Sequence, residues 1–188
     1  MRLFLAIDLD EAARRALAAE HERLAQLIRG SSLKFVKPEQ LHVTLVFLGE
    51  VAPDRATAVR AAIEVPLEGA PFDAVFDTWG TFPPRGAPRV LWIGASTGAA
   101  EMVALQQQLA ARVAAAGTEI ERRAFHPHLT LGRWRESHPR DREAVLQLPR
   151  LRPGVPTFVN GVTLYHSRLS PAGATYTPLA RATLESSS

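Results

Sequence analysis

The chain of 188 residues has no cysteine, which excludes disulfides, thiolate metal sites and thiol nucleophiles. Long apolar runs are missing too. The longest, such as LFLAI and LVFL, fall far short of the roughly 20 residues that a membrane helix needs. The opening MRLFLAIDLDE places Arg2 before an apolar run, as a secretion signal does, but Asp8 breaks the run and no small-residue cleavage site follows. A buried strand is the expected state of this segment. A cytoplasmic protein fits these absences. A large charge of either sign is also lacking: 22 basic residues against 19 acidic give a net +3. The surplus is concentrated, since from Arg122 to Arg152 eight arginines stand against Glu136, Asp141 and Glu143. Such a segment is either a solvated surface or the footprint of an anionic partner.

What is present is a composition ordinary for a globular protein, 46% hydrophobic and 22% charged. RLFLAIDL (2–9) reads as a strand. Residues 10–29 read as a helix capped by Asp10, with Leu17, Leu24, Leu27 and Ile28 on one stripe and Gly30 as the stop. LHVTLVFLG (41–49) is the next strand, 53–64 a helix and FDAVFDTW (72–79) a strand. TFPPRGAPR is a loop by its proline and glycine content. VLWIG (90–94) is a second buried strand, followed by a helix from about Ala99 to Ala116 that Gly117 ends. HPHLTLGR lies on a further strand, 139–148 on a short helix, and TFVNGVTLYHSRL and ATYTPLARATL on closing strands. The tail from residue 185 to 188 is expected to be disordered.

The order holds a repeat: buried strand, long helix, then a strand with histidine and threonine two residues apart. Leu5 to His42 spans 37 positions and Trp92 to His128 spans 36. The expected repeats are roughly 1–80 and 88–170, within one bilobal domain over 1–184. Corresponding residues of such halves fall about a pseudo-two-fold axis, which sets His42 and Thr44 against His128 and Thr130 across a groove. In a strand, i and i+2 share a face, so each His–Thr pair lies opposite its leucine or valine neighbours. A half-buried strand shows the same alternation without any function, and the matching contexts of the two pairs are what argue for more.

Two imidazoles with ordinary pKa near 6.5 can hold opposite protonation states at neutral pH. One can take a proton from an attacking oxygen while the other supplies one to the leaving oxygen. The threonine hydroxyls can donate to non-bridging phosphoryl oxygens. In-line displacement at a phosphate diester suits this set, and a strained cyclic diester suits it best. Two other readings use the same residues. His126 and His128 could chelate zinc with His42 as third ligand, although no Asp or Glu accompanies them. The cleft and the arginines could also capture RNA or a nucleotide without reaction. His126 is expected to hydrogen-bond locally before Pro127, and His21, His138 and His166 to be structural or exposed.

The paired motifs, with the flanks RLFLAIDL, VLWIG, FHPHLTLGR and SRLSPAGATYTPL, resemble the 2H phosphoesterase superfamily. More narrowly they are similar to the bacterial and archaeal RNA 2',3'-cyclic phosphodiesterases, also described as 2'-5' RNA ligases. The resemblance implies an α+β fold of two antiparallel-rich sheets flanked by helices around a central cleft. It implies hydrolysis of an RNA 2',3'-cyclic phosphate end to a 2'-phosphomonoester, with ATP-independent 2'-5' ligation as the reverse. By the motif, His42 is the proton donor to the leaving 3'-oxygen and His128 the proton acceptor from water, with Thr44 and Thr130 on the phosphate; residue chemistry alone does not tell the two histidines apart. Arg133 is expected to reach the phosphate. Phe35 stands where relatives often carry an aromatic, and either stacks on a base or belongs to the core. Neither metal, cofactor nor protein partner is implied, and a monomer is expected.

Overall fold

The computed structural model describes residues 1–28, 32–120, 124–171 and 173–186. In chain order the elements are β1 (Arg2–Asp8), α1 (Glu11–Leu27), β2 (Leu33–Phe35), a 3-10 turn (Pro38–Gln40), β3 (His42–Glu50), α2 (Pro53–Ile63), β4 (Leu67–Glu68) and β5 (Phe72–Phe82). There follow β6 (Val90–Thr97), α3 (Ala99–Ala115), β7 (His128–Trp134), α4 (Pro139–Leu146), β8 (Val155–Val159), β9 (Gly161–Ser170) and β10 (Gly173–Glu185).

Two five-stranded sheets form, in the orders β3-β1-β9-β10-β4 and β2-β7-β6-β5-β8. All pairings are antiparallel except β10 with β4. This is the α+β, two-sheet fold that the family resemblance implies. The run β3-β1-β9-β10 in one sheet matches β7-β6-β5-β8 in the other, so each motif strand lies beside the buried strand of its own repeat.

The sheets do not divide the chain at the boundary the repeat predicts. β5, inside the expected first half, pairs with β6 and β8, while β9 and β10 return from the end of the chain to complete the first sheet. The cause is β1, whose Leu3 to Ile7 are all buried. A central strand needs partners on both edges, and the local sequence supplies only β3. The helices interlock in the same sense: α1 packs on β8 of the second sheet and α3 on β3 of the first. One continuous hydrophobic cluster therefore joins Leu5, Leu17, Val43, Ile93, Leu109 and Leu129.

Asp10 caps α1 as expected, its carboxylate accepting the Ala13 N–H at 2.8 Å. The buried stripe is Ala13, Leu17, His21 and Leu24, and Leu27 is 57% exposed. Ten positions beyond Leu17, Leu27 is turned roughly 80° from it, past the edge of the apolar face. His21 takes the core place that leucine periodicity gave to Leu27. The expected stop at Gly30 lies outside the described residues. Gly117 does close α3, with φ of 75° and the Thr118 N–H donating to the Val113 carbonyl at 3.2 Å. Glu185, placed above in the tail, is the last residue of β10, paired with Glu68; residues 187 and 188 lie outside the described residues. Among the described residues no helix is long and apolar enough to cross a membrane.

Candidate active site

Both motif strands alternate as their sequences require, and both then break the alternation at the same place. His42 and Thr44 are half-buried with Val43 and Leu45 buried, and His128 and Thr130 are half-buried with Leu129 and Leu131 buried. In β1–β3, Ala6 pairs with Thr44 but Leu5 with Val46, so Leu45 is an extra residue. In β6–β7, Trp92 pairs with Thr130 but Leu91 with Gly132, so Leu131 is extra. A bulge of this kind re-aims the residues beyond it. Period two would bring Val46 and Gly132 onto the cleft face; the bulges bring Phe47 and Arg133 there instead, both exposed.

β3 and β7 approach each other across the sheets, and the two triplets meet. A cavity of about 450 Å³ is lined by His42, Thr44, Phe47, His128, Thr130 and Arg133, together with Gln40 and Tyr176. Two further hollows adjoin it and share lining residues. One, of about 610 Å³, is walled by Phe82, Val90, Phe125 and His126. The other, of about 630 Å³, is walled by Lys34, Lys37, Arg135 and Tyr176. Arg133 lines all three.

The two imidazoles are anchored alike. The Nδ1 of His42 donates to the Gln40 carbonyl at 2.7 Å, and the Nδ1 of His128 to the His126 carbonyl at 2.6 Å. A carbonyl only accepts, so Nδ1 carries the proton and Nε2 is the nitrogen left to exchange one. The Nε2 of His42 lies 3.0 Å from the Thr44 hydroxyl. Aromatic rings fix both planes: Phe4 and Tyr176 flank His42 at 4.9 and 5.3 Å, and Phe82 meets His128 edge-on at 5.1 Å. Trp92 packs on His126 at 4.6 Å and lies over Gly80, where a Cβ would come within 2.1 Å of its ring.

Burial pushes the pKa of both histidines below the ordinary value, and the carbonyl at each Nδ1 offsets part of that. Their charged neighbours differ. The Asp8 carboxylate favours charged His42, opposed by Arg14 and by His128 itself. At His128, His126 and Arg133 both oppose a charge. Asp8 is held in turn by the Thr163 hydroxyl at 2.7 Å and the Tyr165 hydroxyl at 2.6 Å. Burial and that hydrogen bond raise the Tyr165 pKa well above a free phenol, so its hydroxyl stays a donor.

Of the predicted residues, His42, Thr44, His128, Thr130 and Arg133 come together in one cavity, and Phe35 does not join them. Its ring stacks on His21 at 4.8 Å and packs against the core, with one side on the basic hollow. His126 and His128 lie ring over ring at 6.2 Å, and among the described residues no cluster of three or more His, Asp or Glu side chains is disposed to hold a metal. His138 caps α4 through a reciprocal pair of hydrogen bonds with Asp141. The sequence reading missed Phe47, Asp8 and Tyr176. Phe47 did leave a signal: it stands three residues beyond Thr44, as Arg133 stands three beyond Thr130.

Two sheets meeting at paired His–Thr strands define the class, the α+β phosphoesterase fold with a duplicated motif. The sequence profile of the 2'-5' RNA ligase superfamily matches residues 13–170, and the chain belongs to that family. An RNA 2',3'-cyclic phosphodiesterase of Thermus thermophilus is 36% identical over 98% of this chain and 90% of its own. One from Methanothermobacter thermautotrophicus is 34% identical over 95% and 96%. Among solved structures, E. coli LigT complexed with 3'-AMP superposes with a TM-score of 0.79 at 29% identity, covering 97% of each chain.

Proposed function

We propose that the protein hydrolyses RNA 2',3'-cyclic phosphate ends to 2'-phosphomonoesters by acid–base catalysis between its two motif histidines. One observation carries the reading: two histidines from different sheets, each with Nδ1 committed to a carbonyl, line a single cavity with two threonines and an arginine. The names of the relatives point to the same substrate.

His128 enters neutral and takes a proton from water at Nε2 as the water oxygen bonds to phosphorus. The bond from phosphorus to the 3'-oxygen breaks, and His42, entering protonated, gives its proton to that oxygen. Thr44, Thr130 and Arg133 donate to the non-bridging oxygens, where charge collects in the transition state. The charge environment supports this division of roles, since Asp8 favours a charged His42 whereas Arg133 and His126 favour a neutral His128. A bound phosphate anion favours charge on both rings and brings His42 toward its working state. With a 5'-hydroxyl in place of water, the same transfer joins two RNA ends through a 2'-5' linkage without ATP.

The test is an oligonucleotide ending in 2',3'-cyclic phosphate, incubated with the protein and EDTA, with the product isomer identified. A 2'-phosphate is expected. A 3'-phosphate would show that the other ester bond breaks, and binding without turnover would leave a capture module. Loss of activity in EDTA with recovery in zinc would move the chemistry to a metal.

A further inference from the structure

The cleft does not end at the motif cavity, and its two arms differ in chemistry. The arm through Phe82, Val90 and Phe125 is mainly apolar, with Arg89 at its wall. The arm along β2 and β7 carries Lys34, Lys37, Arg133 and Arg135 against a single acid, Glu39. All four cations are exposed, and among the described residues none of them forms an ion pair.

A second observation concerns register. Lys34 and Arg133 are directly opposed in the β2–β7 ladder. Like charges in that position destabilise a sheet, because their Cβ atoms are only about 5 Å apart. The β2–β7 register opposes the two residues, and the bulge that β7 makes against β6 turns the pair toward the cleft, since without it Gly132 and not Arg133 lies on that face. Two strands thus hold a repelling pair in line with His128 and Thr130, and an anion lying over the pair relieves it. One phosphoryl group at the motifs engages Arg133 alone; Lys34, Lys37 and Arg135 extend beyond what a single phosphate can use.

We infer that the β2–β7 arm binds the sugar-phosphate backbone of the RNA segment on the 5' side of the cyclic phosphate, with Lys34, Lys37 and Arg135 on successive phosphodiesters. The inference rests on the reading above and sharpens it: the substrate is an oligonucleotide with at least three phosphates upstream of the reacting one, not a cyclic mononucleotide. The terminal base then turns toward the apolar arm.

The experiment compares wild type with the double variant Lys34→Gln/Lys37→Gln. Binding is read by fluorescence anisotropy with a labelled hexanucleotide carrying a 3'-terminal phosphate, which the enzyme does not hydrolyse. Every phosphate that a side chain ceases to neutralise lowers the salt slope of single-strand binding by about 0.7. The double variant should therefore bind about tenfold more weakly, with a slope shallower by about 1.4. Turnover is read as kcat/KM on a hexanucleotide cyclic phosphate and on a cyclic mononucleotide. Wild type should prefer the hexanucleotide, and the variant should lose much of that preference through KM. Melting temperature reports on folding, and removal of the opposed charge should leave it equal or higher.

An unchanged affinity and salt slope would overturn the inference, as would a wild type that turns over both substrates equally at low salt. If neither substrate is hydrolysed, the phosphodiesterase reading fails, while the anisotropy titration still decides the backbone track.

Discussion

Asp8 and His42 are directly opposed partners in the β1–β3 ladder, so the last residue of one strand sets a carboxylate beside the imidazole that begins the other. Thr163, Tyr165 and, at 3.5 Å, Arg181 hold that carboxylate. The pair has a consequence for pH. Burial lowers the pKa of both His42 and His128. In the proposed mechanism the free enzyme works with His42 charged and His128 neutral, so kcat/KM should form a bell with its optimum below pH 6.5. Its acid limb belongs to His128 and its alkaline limb to His42. Asp8 raises the pKa of His42, and Asp8→Asn removes that support, which moves the alkaline limb to lower pH. At pH 7.5 the variant should lose about threefold to tenfold in kcat/KM, and at the acid limb very little. An alkaline limb that stays in place would separate Asp8 from His42 altogether.

Removing either histidine should cost turnover rather than affinity. His42→Ala and His128→Ala should each lower kcat by about 10²–10⁴-fold while a 3'-phosphorylated oligonucleotide binds nearly as before. With both acting in one step, as proposed, the double variant should fall well short of the product of the single losses. Arg133→Lys keeps the charge but not the planar fork, and it should recover only part of what Arg133→Ala loses. Losses in KM alone for the histidine variants would make the two rings binding groups and place the acid–base chemistry elsewhere.

Element types and the motif faces were legible in the residues because both rest on short-range periodicity. The capped helix at Asp10, the buried strands and the i, i+2 pairing of His with Thr all depend on neighbours within a turn or a pleat. Three things were not legible. The bulges at Leu45 and Leu131 arise from pairing with β1 and β6, and only the matching places of Phe47 and Arg133 after their threonines hint at them, so Phe47 read as an ordinary member of an apolar strand. The exchange of β5 against β9 and β10 reflects the need of β1 and β6 for a second edge partner, which sequence order hides. His21 was expected to be structural or exposed, and its place in the core stripe was not legible because a histidine in a helical stripe carries no apolar signature.

Phe35 and Phe47 give opposite predictions. Phe35 stacks on His21 and packs against the core, so Phe35→Ala should lower the melting temperature and leave KM for RNA much less affected. Phe47 is 42% exposed at the junction of the motif cavity and the apolar arm, with Arg2 5.1 Å over its ring. It is placed to stack on a base, and Phe47→Ala should weaken substrate binding by about 1–3 kcal/mol with little change in melting temperature. Thermal denaturation and Michaelis–Menten kinetics on the two variants decide the matter. A Phe35→Ala variant that is fully stable but poor in KM would restore the role its position in the sequence suggested.

His21 ties stability to pH. Its ring is 8% exposed, its Nε2 has no hydrogen-bond partner among the described residues, and desolvation lowers its pKa, with Glu20 partly opposing. In the unfolded chain the group titrates near 6.5, above its folded value. The unfolded state therefore binds the proton more tightly, and stability that is fully present above about pH 6.5 is lost as pH falls through the folded pKa. His42 and His128 act in the same direction, so one substitution removes a share of the slope and not all of it. His21→Leu keeps the volume roughly constant, buries no orphaned nitrogen and cannot be protonated. At pH 8 its melting temperature should lie close to that of wild type; between pH 6.5 and pH 5 the variant should gain steadily, by about 2–4 °C for each kcal/mol of linkage removed. Melting curves that run parallel from pH 8 to pH 5 would place the acid sensitivity of the fold elsewhere.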